Sequence, residues 1–339
     1  MIGYYIHHQG MGHLRRAQAI AAHLPAGSVT ALSSLPRPHG WNNPWIRLDR
    51  DDTGSEPVAV DANGRLHWVP LHDAGLRERM GQLSAWLRDA APGALVADVS
   101  VEAAVLARLH GVPVVSVALP GLRSDPAHTL GFGISDAVVA AWPPEAPDML
   151  TTADDCVRGK LVPVGAISGI PVLPGRPPGP VTRVLVLGGA GGGGMNDADI
   201  EDARRQTPGV DWVALGTNPG NRTADPLPHL RDASLVVTHA GQGAVADAAA
   251  AGVPAVIVPL ERPHQEQFTT GRALSRMPGL PAIVSPGFAR SDWAQVLSAA
   301  EKLDGRGWAV WNDGQGASRA AQVIADVAAS KPVPAGAAS

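Results

Sequence analysis

A single cysteine, Cys156, in 339 residues excludes an internal disulfide and any zinc site built from cysteines. No stretch of eighteen uncharged apolar residues is present, so no membrane-spanning helix is expected and no membrane association is evident. The opening MIGYYIHHQG lacks a basic region followed by an apolar run, which reads as no secretory signal and a cytoplasmic chain. Lysine is confined to Lys160, Lys302 and Lys331, and a formal net charge of −4 gives no general attraction to nucleic acid. Arg15–Arg16 and Arg77–Arg79 remain as local basic clusters. No pattern speaks to oligomeric state. What is present is length for two domains of about 150 residues each, with a hydrophobic content of 45%, enough for ordinary buried cores.

Along the chain, apolar runs alternate with helical spacings. Strands are expected at 2–6, 28–32, 45–48, 66–69, 94–99, 112–119, 137–141 and 161–164. Helices are expected at 13–24, where Leu14, Ala17, Ala21 and Leu24 share a face, at 74–91 through Leu76, Met80, Leu83 and Leu87, and at 101–109. Residues 121–133 read as a long loop carrying Arg123, Asp125 and His128. From Gly165 to Pro180 the prolines fix φ and remove donors, so that stretch is a linker.

Strands then follow at 183–187, 212–215 and 235–237, with a further strand inside the 238–267 stretch and one at 282–284, and with helices near 197–206, 267–275, 291–303 and 317–329. The fold class is therefore α/β, with two doubly wound, Rossmann-like domains. Residues 1–165 form the first domain, 166–180 the Pro/Gly-rich linker and 181–315 the second domain. Residues 316–330 form a C-terminal helix free to pack back on the first domain. Ligands bind outside the carboxyl ends of parallel strands, so two such domains face a cleft.

The most informative stretch is Thr238 to Gln267. There an apolar strand enters His239-Ala240-Gly241-Gln242-Gly243, and an alanine-rich helix follows. Small residues let a ligand approach the backbone, and the unpaired amides of a helix start suit an anion. His239 adds a donor, and Asp247, in the helix's second turn, is placed for a ribose diol, because a carboxylate accepts two hydrogen bonds. Glycines that merely permit a tight strand–helix crossing are the plainer alternative.

His239-x-Gly241-x-x-Ala244-x-x-Asp247, then Gly252-Val253-Pro254, Pro259 and Glu266-Gln267, resembles the donor-binding signature of GT-B glycosyltransferases. The interval from Pro259 to Gln267 looks most like the family-28 branch, which contains the N-acetylglucosaminyltransferase of lipid II synthesis. The resemblance implies GT-B architecture. It implies the donor diphosphate on Gly241, Gln242 and Gly243, the ribose on Asp247 and the donor sugar on Glu266 and Gln267. It further implies that Gly188, Gly189 and Gly191, in the Gly188-Gly189-Ala190-Gly191 loop, line the cleft. Two departures stand out. Ala244 replaces the family's serine, and Asp247 replaces its glutamate. His264-Gln265 offers an alternative register to Glu266-Gln267.

In the first domain Gly10-Met11-Gly12-His13 leaves strand one. The loop Gly10, Met11 and Gly12 is a candidate acceptor or phosphate loop, and the resemblance gives His13 as a general base or acceptor contact, with helix capping or packing as the plainer alternative. An imidazole near pKa 6.5 suits proton transfer from an acceptor hydroxyl. Asp98, ending an apolar strand, either pairs with His13 or caps the next helix, a role Ser100 could take. His7 and His8 have no nearby carboxylate to complete a metal site, so none is expected there. No Asp-x-Asp pair ends a strand, and neither a metal nor a cofactor is expected.

The function implied is metal-independent, inverting transfer of a hexosyl or N-acetylhexosaminyl group from a UDP-linked or similar nucleotide sugar to a hydroxyl. Gly10-x-Gly12-His13-x-x-Arg16 also resembles the loop of a UDP-sugar hydrolase of the same fold, so hydrolysis is the alternative. A non-catalytic sugar-nucleotide binder is a third reading, motivated by Ala244 and Asp247. The sequence leaves acceptor, sugar and nucleotide unidentified.

Overall fold

The computed structural model describes residues 1–330 except 55, 152–154, 189–194, 222 and 224. The first half carries β1 (Ile2–Ile6), α1 (Met11–Ala21), β2 (Val29–Ser33), β3 (Trp45–Arg47), α2 (Ala74–Ala90), β4 (Ala94–Asp98) and α3 (Val101–Leu109). It continues with β5 (Val114–Ala118), β6 (Gly121–Leu122), α4 (Pro126–Ile134), β7 (Ala137–Ala140), β8 (Leu150–Thr151), α5 (Asp155–Lys160) and β9 (Leu161–Pro163). Seven of these strands form one sheet in the order β3-β2-β1-β4-β5-β7-β9, paired in parallel throughout.

Side chains alternate across a strand, and β1 shows it. Tyr4 and Ile6 join the α1 face with Leu14, Ala17 and Ile20, while Tyr5 joins the α2–α3 face with Leu83, Leu87 and Ala104. Helices on both faces explain why β1, β2, β4, β5 and β7 are buried along their whole length.

The second half carries β10 (Arg183–Leu187), α6 (Asp197–Gln206), β11 (Asp211–Leu215), α7 (Leu227–Asp232), β12 (Leu235–His239) and α8 (Gln242–Ala250). It continues with β13 (Ala255–Val258), α9 (Glu266–Arg276), β14 (Ala282–Val284), α10 (Trp293–Ala300) and α11 (Gly316–Ala329). Its sheet runs β11-β10-β12-β13-β14, again parallel. One face packs Val184, Val186 and Val237 against Ile200, Trp293 and Leu297. The other packs Leu185, Val236 and Ile257 against Val245 of α8 and Leu274 of α9.

That second cluster does not stop at the domain edge. It runs on through Trp308 and Trp311 to Trp142, Ala118 and Phe132 of the first half. Residues between β9 and β10 form no helix or strand. After the second sheet the chain returns, and α11 sends Ala320, Ala321 and Ile324 into the first core beside α1. Among the described residues no helix is long and apolar enough to cross a membrane.

Three expectations fail. Residues 66–69 form no strand; this segment is held instead by an isolated antiparallel bridge between Val58 and Leu71 and by turns. The supposed loop at 121–133 contains β6 and the whole first two turns of α4, whose start is set by Asp125 capping the His128 amide and Pro126 in the first turn. Arg79 is no surface patch: it is fully buried, donating to Ser34, Tyr5 and the Asp49 carbonyl, with its guanidinium over the Tyr5 ring.

Candidate active site in the interdomain cleft

β1 ends at a turn whose Gly10, at φ +96°, opens α1 without a side-chain cap. His13 and Arg16 lie one turn apart on that helix, so both face the same way. What they face is Asp98 at the end of β4, beside β1 in the sheet. His13 Nδ1 lies 2.9 Å from Asp98 Oδ1, and Arg16 Nε donates to Oδ2 at 3.2 Å while its Nη2 reaches Oδ1. Asp98 has no solvent exposure. Burial alone would raise its pKa, but the charges and hydrogen bonds of Arg16 and His13 hold it down at about 2. An ionised Asp98 accepts the Nδ1–H of His13, which leaves Nε2 with its lone pair. Arg16 Nη2, 3.0 Å from the same Nδ1, is then a neighbour and not a donor to it. Asp98 does not cap α3; Ser100 does, accepting from the Ala103 amide.

The residue after Asp98 is unusual. Val99 has φ +61°, a conformation costly for a β-branched side chain. It turns the chain sharply out of the sheet, with its amide bonded back to Ala97, and lets Val99 line the cleft. Nothing in the sequence signals it.

Arg16, read in sequence as part of a local basic cluster, is buried. Its Nη1 donates to Gln242 Oε1 at 3.4 Å, reaching from the first domain to the start of α8 in the second. The His13-x-x-Arg16 spacing was the available signal. α8 also starts without a side-chain cap, so the amides after Gly241 are open to a ligand. Gln242 Nε2 is buried with no hydrogen-bond partner among the described residues.

Before α8, the Gly241 amide donates to His239 Nδ1 at 2.9 Å. This contact fixes a neutral imidazole with its hydrogen on Nε2. Burial, with help from the Arg262 charge, lowers its pKa to about 4. A Cβ on Gly241 would sit 2.5 Å from the His239 ring, so only glycine accommodates this arrangement. Gly243 is exposed at the same helix start. Gly188 has a different explanation: a Cβ there would lie 2.3 Å from the Gly216 carbonyl, so backbone packing between neighbouring strand ends requires the glycine. Gly189 and Gly191 lie outside the described residues.

Asp247 sits on a helix whose residues from Val245 to Ala250 are all buried. Its Oδ1 accepts from Ser168 of the linker at 2.6 Å, and Oδ2 lies 3.7 Å from Arg15 of α1. Burial raises its pKa, against the opposing pull of Ser168 and Arg15. Both partners come from outside the second sheet.

Glu266 opens α9 and faces Arg123 at 3.8 Å. Burial raises its pKa, opposed by the nearby charges of Arg123, Arg16 and His13, and it lines the cleft together with Arg123. Gln267 is turned away: its Oε1 accepts from the Leu260 amide at 3.0 Å and braces the loop between β13 and α9. His264 and Gln265, the alternative register, both have positive φ. His264 points back to the first domain, where it meets His67, Asp125 and His128.

Between these walls lies a cavity of about 390 Å³ lined by Val99, Val101, Val117, Leu119 and Phe132, with Arg123, His128 and Glu266 at its polar end. Gly10, Met11 and Gly12 lie outside its lining; Gln9 belongs to it. The expectation that no carboxylate lies near His7–His8 fails, because Asp52 approaches His8 Nε2 to 3.1 Å from a distant loop.

Residues 224–270 match the glycosyltransferase family 28 C-terminal domain. Over 234 residues the chain is 30% identical to the UDP-N-acetylglucosamine–N-acetylmuramyl-(pentapeptide) pyrophosphoryl-undecaprenol N-acetylglucosamine transferase of Rhodopseudomonas palustris strain BisB18. That match covers 64% of this chain and 60% of the relative. The structure of Acinetobacter baumannii MurG superposes with a TM-score of 0.61 at 14% identity, over 96% of this chain and 99% of that one. The spinosyn rhamnosyltransferase SpnG complexed with thymidine diphosphate gives 0.53 at 19% identity, over 97% and 96%.

Proposed function

We propose, for a chain with the GT-B fold and a family-28-like second domain, that its activity is inverting transfer of a sugar from a nucleotide sugar to an acceptor hydroxyl. The observation that carries this reading is the 2.9 Å contact between His13 and buried Asp98, set beside an uncapped helix start from the other domain. His13 Nε2 takes the proton of the acceptor hydroxyl as its oxygen attacks the anomeric carbon. The bond from that carbon to the diphosphate oxygen breaks on the opposite face, which inverts the centre. Asp98 stays ionised and stabilises the imidazolium.

The departing diphosphate gains charge, and in this reading the first amides of α8 and the His239 Nε2–H donate hydrogen bonds to it. Asp247 takes the ribose through the oxygen that Ser168 does not hold, and Glu266 takes the sugar. The scheme assigns the diphosphate charge to protein donors and uses no cofactor. UDP is the first nucleotide to test; the thymidine diphosphate of SpnG puts thymidine nucleotides in the same screen. The apolar cavity at the end of β4 suits an acceptor with a hydrophobic portion.

A thermal-shift screen of nucleoside diphosphates and their sugars tests the donor half. A ligand at 100 times its Kd stabilises by about 2.7 kcal/mol. Absence of any shift with every nucleotide sugar sinks the reading. With a binding donor found, free sugar released at the same rate with and without acceptor identifies a hydrolase instead.

A further inference from the structure

The three imidazoles that gather at the polar end of the cavity have no part in the transfer scheme. His67 comes from the loop before α2, His128 from α4, and His264 from the loop between β13 and α9 of the other domain. Each offers a nitrogen within 4.8 Å of those of the other two. Their ring centroids lie 4.5, 4.8 and 6.3 Å apart. Asp125 stands among them, its carboxylate 2.6 Å from His128 Nδ1, 3.7 Å from His264 Nδ1 and 3.9 Å from His67 Nε2.

We propose that His67, His128 and His264 form a divalent transition-metal site, taking Zn²⁺, that fastens the 262–265 loop of the second domain to the first. Imidazole nitrogens suit zinc, and three with one open position is a common coordination set. At Zn–N bonds of about 2.0–2.1 Å a tetrahedral site needs nitrogens roughly 3.3 Å apart.

Two further observations point to a ligand here. His67 Nε2 is buried without a hydrogen-bond partner among the described residues. Two of the rings are also held, as metal-bound histidines are. Asp125 fixes His128 through Nδ1 and the Leu122 backbone bonds His264, while Glu102 accepts from the His67 and Trp68 amides at 2.7 and 3.2 Å to set the His67 loop. His128 Nε2, the nitrogen left for the ion, lies 3.2 Å from Arg123 Nη1, which the ion must displace. The approach of the two domains is itself built in. Gly121, at φ +117°, has no room for a Cβ, which would lie 2.2 Å from the His264 carbonyl.

The test uses the full chain without an affinity tag, treated with chelator and desalted. Titration with Zn²⁺ alone against a competing indicator is expected to give one ion per chain, with a raised Tm, while Mg²⁺ and Ca²⁺ give neither. His67→Ala, His128→Ala and His264→Ala each weaken zinc by at least about 100-fold, and Asp125→Asn by about 10–100-fold. Melting in EDTA separates folding from binding, since a folded variant matches the wild type there. His264→Gln, on a half-buried loop residue, serves if His128→Ala does not fold. Failure to bind zinc at micromolar concentration, or wild-type affinity in His264→Gln, overturns the proposal. Neither readout needs sugar transfer, so the result stands apart from the activity proposed above.

Discussion

The two helix starts that meet across the cleft look alike in sequence, each a glycine turn after a parallel strand with no side-chain cap. They differ in what the chain behind them supplies. Behind α1 lies a buried anion, Asp98, wired to His13 and to the buried Arg16. Behind α8 lies a neutral imidazole, His239, clamped by the next glycine's amide. The first arrangement orients a proton acceptor; the second presents donors to a negative group. Two similar motifs thus carry different chemistry because charge is buried behind one and excluded from the other.

The strongest break in that comparison is His13→Ala. It is expected to lower kcat by about 10²–10⁴-fold while nucleotide affinity, measured by calorimetry, stays within about twofold. Equal loss of both would move His13 to the donor side. Gly241→Ala attacks the other start, since the new methyl meets the His239 ring. Its expected signature is a nucleotide Kd about 10–100-fold weaker, and an unchanged Kd would remove His239 from the phosphate site.

Asp247→Asn is a finer cut, because an amide still accepts from Ser168 but loses the charge. Nucleoside binding should weaken about 3–10-fold with little change in Tm. If Tm falls and binding holds, Asp247 is a tie to the linker and α1, and nothing more.

The smallest effect expected is on acid stability. His7 and His239 are held neutral with pKa values of about 4, chiefly by burial, against 6.5 for an ordinary histidine. Depressed values mean that their contribution is full above about 6.5 and is lost as pH falls toward 4. Asp98, at about 2, loses its contribution only below the ordinary carboxylate range. A melting series should therefore show a first decline between pH 6.5 and 4, reduced in His239→Asn, where the side-chain oxygen still accepts from Gly241. A flat profile down to pH 4 contradicts this order.

Much of the fold was legible because the parallel strands are buried on both faces and read as continuous apolar runs. The helix at 101–109 matched to the residue. α4 was missed although Asp125 and Pro126 announced it. The site was partly legible. His13, Asp98 and the Gly241 turn lie where spacing put them, but Arg16 and Arg79 looked like surface charge. Only the partners brought by other strands reveal them as buried hubs, and sequence spacing carries no information on those. The His67–His128–His264 cluster was invisible for the same reason, its members lying 61 and 136 positions apart in the chain.

The return of α11 to the first core has a consequence for rearranging this chain. The second domain is an insertion, entering after β9 and leaving before Gly316, with the two crossing segments laced by the Ala166 amide on the Trp311 carbonyl and Arg319 on the Val164 carbonyl. Cutting the chain at residue 315 would therefore unravel the first domain and not the second, because Ala320, Ala321 and Ile324 would leave its core. A donor-domain exchange between relatives must graft both crossings together.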